Sequence, residues 1–360
     1  MSNLMDLSDS ELIIKHLASA PSSFKEILVE LASLRQPAEL DLLARSSTLG
    51  VLNRLPPEII TIILDMLDIQ SMFRFSMSSY MGYAYVHSHR KYRDLITVAL
   101  HPVASLVKLR VVHLHSVREL HGALRSGKCT YCPEYGAFLS LLSSERCCWE
   151  CLGTNPSLKL ISGASIRQYF ALSEEELYQL PGLRNMPGIS HMVADPNPSD
   201  STFFNVKAAK AIALTKHGSV EKIAEGMRKR CYSTAHLTFG LHLLREPIPP
   251  DQDPLLVPDS DYLRYDLFYG GGSIPFPSLS KSGNIDHGFL CLGCRHTRTL
   301  LSRSVLPDEE LAALVPSNCR KRRVIYGLEM RARARGSFLN HIAHCYGARQ
   351  MAPWLVTQND

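Results

Sequence analysis

Between residue 57 and about residue 125 the apolar positions recur at helical spacing, with joints near Asp68 and at His87 to His89. Ahead of that stretch, residues 8–34 hold two short helical patterns split by Ala20-Pro21-Ser22-Ser23. Ser8 and Ser23 stand where caps belong, each with an acid three residues on, Glu11 and Glu26. After a break at Gln36-Pro37, residues 38–46 read as helical again. Residues 126–155 are dense in Cys and Gly, with a short apolar piece from Phe138 to Leu142. Residues 157–185 read as helix, with Ser173 capping Glu174-Glu175-Glu176 and a stop at Pro181-Gly182. Residues 192–204 read as loop, 205–230 as two alanine-rich helices, and the proline-rich 246–258 as loop. Residues 262–276 and 285–292, near Gly270-Gly271-Gly272, predict a small antiparallel hairpin. Residues 307–315 and 324–347 read as helical. The pattern predicts an α+β fold, mainly α-helical, without a repeat at the usual periods.

The segment 52–67, LNRLPPEIITIILDML, departs from the ordinary surface helix. Pro57 suits the first helical position, where its missing N–H is not needed. Glu58, Thr61 and Asp65 form one narrow polar stripe, and every other position from Ile59 to Leu67 is apolar. The apolar face is wider than a surface helix normally carries. A helix buried in its own domain explains this. So does a helix with one face on its bundle and another on a partner protein.

The neighbouring residues favour the partner. Leu55-Pro56, Glu58, the apolar run Ile59 to Leu67, Asp68, and then Phe73-Arg74-Phe75-Ser76 resemble the F-box, a match over about 40 residues. Ser78-Ser79-Tyr80 stands where that family often has Cys or Asn. The resemblance implies a three-helix unit that docks on a Skp-type adaptor of a cullin-based ubiquitin ligase. It implies Leu55, Pro56, Ile59, Ile60, Ile63, Leu64 and Leu67 as the contact set, some of them facing the domain's own core. The expected organisation is an N-terminal helical extension over 1–50, the F-box over 51–98, a helical region with a cysteine cluster over 99–190, and an α+β region over 191–360.

Cys129-Thr-Tyr-Cys132 is followed, fifteen residues on, by Cys148-Trp-Glu-Cys151. Two C-x2-C turns at this separation can close around one tetrahedral zinc ion, and four thiolates leave no open position, so the site is expected to be structural. Cys147 is a neighbour of Cys148 that could compete for its role. A C-x2-C pair is also the oxidoreductase motif, but no thioredoxin-like βαβ pattern surrounds either pair. A second knuckle, Cys291-Leu-Gly-Cys294, has candidate partners in His341 and Cys345, four apart on one helix face. His344, His296 and Cys319 are rivals for that site. An F-box followed by CxxC, Gly-Ala-Phe-Leu, RCCWECL and Leu180-Pro181-Gly182 resembles a large group of fungal F-box proteins. That group commonly ends in a C-x-G-C knuckle and an H-x3-C helix, so the resemblance implies one or two structural zinc ions.

Composition narrows the rest. A chain of 360 residues, 45% hydrophobic and 20% charged, is long enough for one large domain or two smaller ones. The net charge of +5 is mild and does not argue for nucleic acid. The N-terminus carries Asp6, Asp9 and Glu11 in place of a secretory apolar run, and no stretch is long enough for a bilayer, so the expectation is a soluble protein of cytoplasm or nucleus. Arg320-Lys321-Arg322-Arg323 with Arg331, Arg333 and Arg335 reads as a solvated basic surface, with nuclear import or an acidic ligand as the functional readings. No nucleotide, hydrolase or metalloprotease motif is present, so no catalytic residue is assigned. The expected function is a non-enzymatic substrate receptor that holds a ligase core at one end and an unidentified protein substrate at the other. The alternative is a zinc-dependent nucleic-acid-binding or regulatory protein.

Overall fold

A computed structural model describes residues 7–19, 47–184, 202–258 and 271–353. The readings of a cap at Ser23, a helix over 38–46 and most of the loop at 192–204 lie outside these residues. The described chain is mainly helical, with small antiparallel sheets.

The first elements are α1 (Leu7–Leu17) and β1 (Ala18–Ser19). A short 3-10 turn over Gly50–Arg54 then leads into α2 (Pro57–Met66), with Pro57 in the first turn as its chemistry favours. Asp68 accepts from the N–H of Gln70 and Ser71 and starts α3 (Ile69–Ser78). Ser79 caps α4 (Tyr80–Ser88) and His89 caps α5 (Arg90–Val98). The His89 cap falls on an expected joint; the Ser79 cap does not, and it divides residues 51–98 into four short helices where three were expected. α6 (Leu100–Lys108) and α7 (Val117–Arg125) follow, the latter opened by a reciprocal Ser116–Glu119 capping box. Helices α2 to α7 share one apolar core. That core continues through Leu139, Leu141, Ile274 and Phe276, so it does not break at residue 98.

Next come β2 (Phe138–Ser140), β3 (Arg146–Cys147) and α8 (Trp149–Thr154). The stretch expected to be helical over 157–185 is broken into β4 (Leu160–Ser162), α9 (Gly163–Phe170), α10 (Glu174–Tyr178) and β5 (Gly182–Arg184). Ser173 caps α10 with Glu176, as expected. β6 (Thr202–Asn205) lies between β4 and β5 in a three-stranded sheet, so the end of the expected 192–204 loop is a strand. α11 (Val206–His217), α12 (Val220–Arg230) and α13 (Thr234–Leu243) complete this part, and α9, α11 and α12 share a second apolar core with it.

The remaining elements are β7 (Ser273–Pro275), β8 (Ser278–Leu279), β9 (Ile285–Asp286), β10 (Leu290–Cys291), α14 (Leu292–Ser302), α15 (Asp308–Leu314), α16 (Lys321–Met330), α17 (Arg335–His344) and α18 (Tyr346–Met351). The hairpin expected between 262–276 and 285–292 is different in detail. Residues 262–270 of it lie outside the described residues; among those described, β7 pairs with β2, β10 pairs with β1 from the N-terminus, and β8 and β9 form a local pair.

Candidate metal centres and an exposed helical face

The first cysteine cluster sits between the β3-β2-β7 sheet and α8. Cys129, Cys132, Cys148 and Cys151 are all buried, and their sulfurs lie within 4.8 Å of one another. Two features of local backbone aim them. Cys129 Sγ accepts the Tyr131 N–H at 3.4 Å, and Cys148 Sγ, at the start of α8, accepts the Cys151 N–H at 3.4 Å. Such bonds favour the thiolate. The approach of Cys132 to Cys148, 3.5 Å, joins one C-x2-C turn to the other. A metal requires that cross-pair convergence, whereas a redox disulfide would close within a single turn. Tetrahedral Zn–S bonds of about 2.3 Å put sulfurs about 3.8 Å apart, so the donor set is compatible with zinc.

Two buried cations brace this centre, and neither was legible in the spacing. Arg146 donates to four carbonyls, those of Gly136 (2.7 Å), Ala123 (2.9 Å), Phe276 (2.7 Å) and Pro277 (2.7 Å). It thereby ties α7 and the β7–β8 turn to the cysteine loop. Lys159 Nζ donates to the carbonyls of Leu152 (3.0 Å) and Gly153 (2.8 Å) in the last turn of α8, where a positive charge is favoured.

The second cluster gathers Cys291 from the end of β10, Cys294 from the first turn of α14, His341 from α17, and Cys345 from the α17–α18 joint. Cys294 Sγ lies 3.2 Å from His341 Nε2 and 3.9 Å from Cys345 Sγ, and Cys291 lies 3.7 Å from Cys345. The rivals are elsewhere. His344 and His296 are not in the group, Cys319 donates to the carbonyls of Leu256 and Val257, and Cys147 to that of Phe138. The crossing of α14 and α18 explains the close approach. A Cβ on Gly347 would lie 1.9 Å from the Gly293 carbonyl oxygen, so the helices meet backbone to backbone. Gly347→Ala is therefore expected to push α18 off α14 and weaken metal binding at this centre alone by roughly ten-fold, read by competition with a chromophoric chelator.

The thiols also set a pH dependence. Burial holds the proton on Cys148, and the hydrogen bond to Cys291 holds it on Cys294, while hydrogen bonds from Cys291 and Cys294 keep Cys345 low. A metal must displace the protons held on the other thiols. Metal affinity should thus rise with pH, by ~10-fold or more per unit around neutrality, and fall on acidification; chelator competition at stepped pH checks this.

The basic block of the sequence divides: Arg320, Lys321 and Arg322 are solvent-exposed, as expected, and the later arginines are not. Arg331 and Arg333 are buried. Arg331 reaches Glu150 (3.0 Å), Glu134 (3.1 Å) and Asp253 (2.5 Å), and Arg333 Nη1 donates to the Arg331 carbonyl. Arg335 pairs with Glu11 at 2.8 Å. The expected solvated surface is corrected on this point: Arg331 is an internal connector held by carboxylates distant in sequence, and Arg333 is buried beside it, its backbone bridged to Phe289.

Helix α2 buries Ile60 and Leu64 and exposes Glu58 and Thr61, but departs from its own polar stripe at Asp65. Its polar Asp65 is 5% exposed, while Ile62 is 47% and Met66 69% exposed. His89 Nδ1 accepts the Tyr92 N–H, so the neutral ring carries its proton on Nε2, 3.0 Å from the Asp65 carboxylate. Lys91 also donates to Asp65, and Arg118 lies 3.6 Å away. Burial works to raise this carboxyl, but the three bases together hold it below its usual range. Of the expected contact residues, Ile59 and Ile63 are exposed, Pro56 is exposed, and Leu55 and Leu67 are half-buried. Ile60 and Leu64 are buried in the core with Met72 and Leu95. Ile62 and Met66, outside the expected set, are exposed too. On α3, Phe73 (55%) and Met77 (64%) are exposed as well.

No family model, no curated protein and no solved structure matches the chain. Among the described residues no helix is long and apolar enough to cross a membrane.

Proposed function

We propose that this chain is an F-box-type substrate receptor. Its α2–α3 face docks on a Skp-type adaptor of a cullin-based ubiquitin ligase, and its C-terminal part holds a protein substrate. The observation that carries the reading is the set of exposed large apolar side chains on two consecutive helices, Ile59, Ile62, Ile63 and Met66 of α2 and Phe73 and Met77 of α3. Apolar side chains concentrated in this way favour a partner that covers them. The Leu-Pro start, the acid at Glu58 and the Phe73-Arg74-Phe75-Ser76 run support the adaptor as that partner.

The two cysteine centres are proposed to hold structural zinc. Each offers four protein donors, so no position is left for a substrate or an activated water. Function then follows from proximity: one end holds the ligase core, the other raises the concentration of substrate lysines near the ubiquitin donor, and catalysis belongs to other subunits. Met66→Asp combined with Phe73→Asp is expected to abolish capture by immobilised adaptor while leaving metal content unchanged. Equal capture of the variant and the parent chain would refute the docking face.

A further inference from the structure

The N-terminal segment packs on the C-terminal elements of the described chain. Ile13 and Leu17 of α1 are 1% exposed, and they lie in one apolar cluster with Cys291, Cys294, Phe338 and Cys345. β1 pairs antiparallel with β10, in a register that sets Ala18 opposite Cys291, a candidate metal ligand. The chain is anchored again at Ser47, whose Oγ accepts the Met81 N–H at 2.9 Å on α4. The first anchor is therefore built from the second metal centre itself.

The two centres differ in a way that matters here. The first draws all its donors from residues 129–151, all buried, and is braced by Arg146 and Lys159. The second draws its donors from residues 291–345, and His341 is only half-buried. Without a metal, Cys291 reaches the α17–α18 joint through a weak thiol contact with Cys345 at 3.7 Å, and β10 is the edge to which the N-terminal strand is paired. We infer that the second centre is a metal-controlled latch: occupied, it fixes residues 7–19 on the C-terminal part of the protein; emptied, it releases them while the first centre and the helices α2 to α7 stay folded. This goes beyond the adaptor reading and does not depend on it. It rests on metal binding at the second centre, which the first step of its test measures.

The full chain is loaded with zinc and titrated with a chelator, with native mass spectrometry counting ions and hydrogen exchange read by peptide. The expected result is two bound ions, one leaving first, and with that loss at least ~5-fold faster exchange in residues 10–19 but unchanged exchange in α7. Coupling is reciprocal, so undocking α1 must weaken the metal by the same factor that the metal strengthens docking. Leu17→Asp, or the milder Leu17→Ala, is expected to weaken zinc at the second centre by roughly 5- to 150-fold and to leave the first centre unchanged. A chain that binds only one ion overturns the latch. So does retained protection of residues 10–19 after the weaker ion has left, an equal rise of exchange in α7, or wild-type zinc affinity in both Leu17 variants.

Discussion

Cys148→Ser is expected to remove one metal ion and to unfold the region from Cys129 to Thr154. The reason lies in what else holds that region. The cluster around the first centre consists of the four cysteines, Cys147 and a few large apolar side chains, chiefly Phe138, Trp149, Leu152 and Leu158. Structural zinc contributes roughly 10–16 kcal/mol to folding, comparable with or larger than the ~5–15 kcal/mol that separates most domains from their unfolded state. Loss of one thiolate thus removes more than the surrounding core can replace. Trp149 is buried against Phe138, with ring centroids 6.1 Å apart, and reports the event by fluorescence. Its emission should shift to that of a solvated indole as the metal count drops by one. Cys147→Ser is the control. Cys147 is buried beside the centre but outside the donor set, so that variant should keep its metal and lose only about 1–2 kcal/mol. Retention of two ions by Cys148→Ser would contradict the donor assignment.

Arg331→Ala should be the most damaging substitution away from the thiols. Arg331 follows α16 and reaches into the first centre, where Glu134 and Glu150 flank the ligands Cys132 and Cys151, and across to Asp253. Glu150 is buried with almost no side-chain exposure. Removing the guanidinium leaves buried carboxylates without their cation, which costs about 3–5 kcal/mol. Burial already pushes Glu134 above the usual carboxylate range, with Arg331 the main opposing influence. A group whose folded pKa is raised is favoured in its protonated form, so the variant's deficit should be largest where Glu134 is ionised and shrink on acidification. Urea unfolding of metal-loaded wild type and variant at matched pH measures it. Arg331→Lys should fall between, because an ammonium keeps the charge but cannot fork to three carboxylates.

What the sequence made legible follows a physical division. The converging donors were readable because a knuckle is local: Cys148 and Cys151 are three apart, and Cys345 lies four residues past His341, just beyond the end of α17. The exposed residues of α2 were readable as an apolar face too wide for one surface, but not which of them face water. That sorting involves Asp65, and its partners His89, Lys91 and Arg118 arrive from the start of α5 and from α7. The strands were misjudged for the same reason. β7 and β10 are two or three residues long, too short for alternation to select a partner, and each pairs with a strand far away in sequence. The arginines at 331 and 333 read as surface because charge counting registers neighbours, and their neighbours in space come from residues 134, 150 and 253.

The most direct test of the central claim is a calorimetric titration of the zinc-loaded full chain with purified Skp-type adaptor. The account predicts saturable one-to-one binding with a negative heat-capacity change from burial of the α2–α3 face, lost in Met66→Asp with Phe73→Asp. A folded, metal-loaded chain that gives no binding heat at several temperatures and does not co-elute with the adaptor would contradict it, and the exposed face would then belong to a different partner.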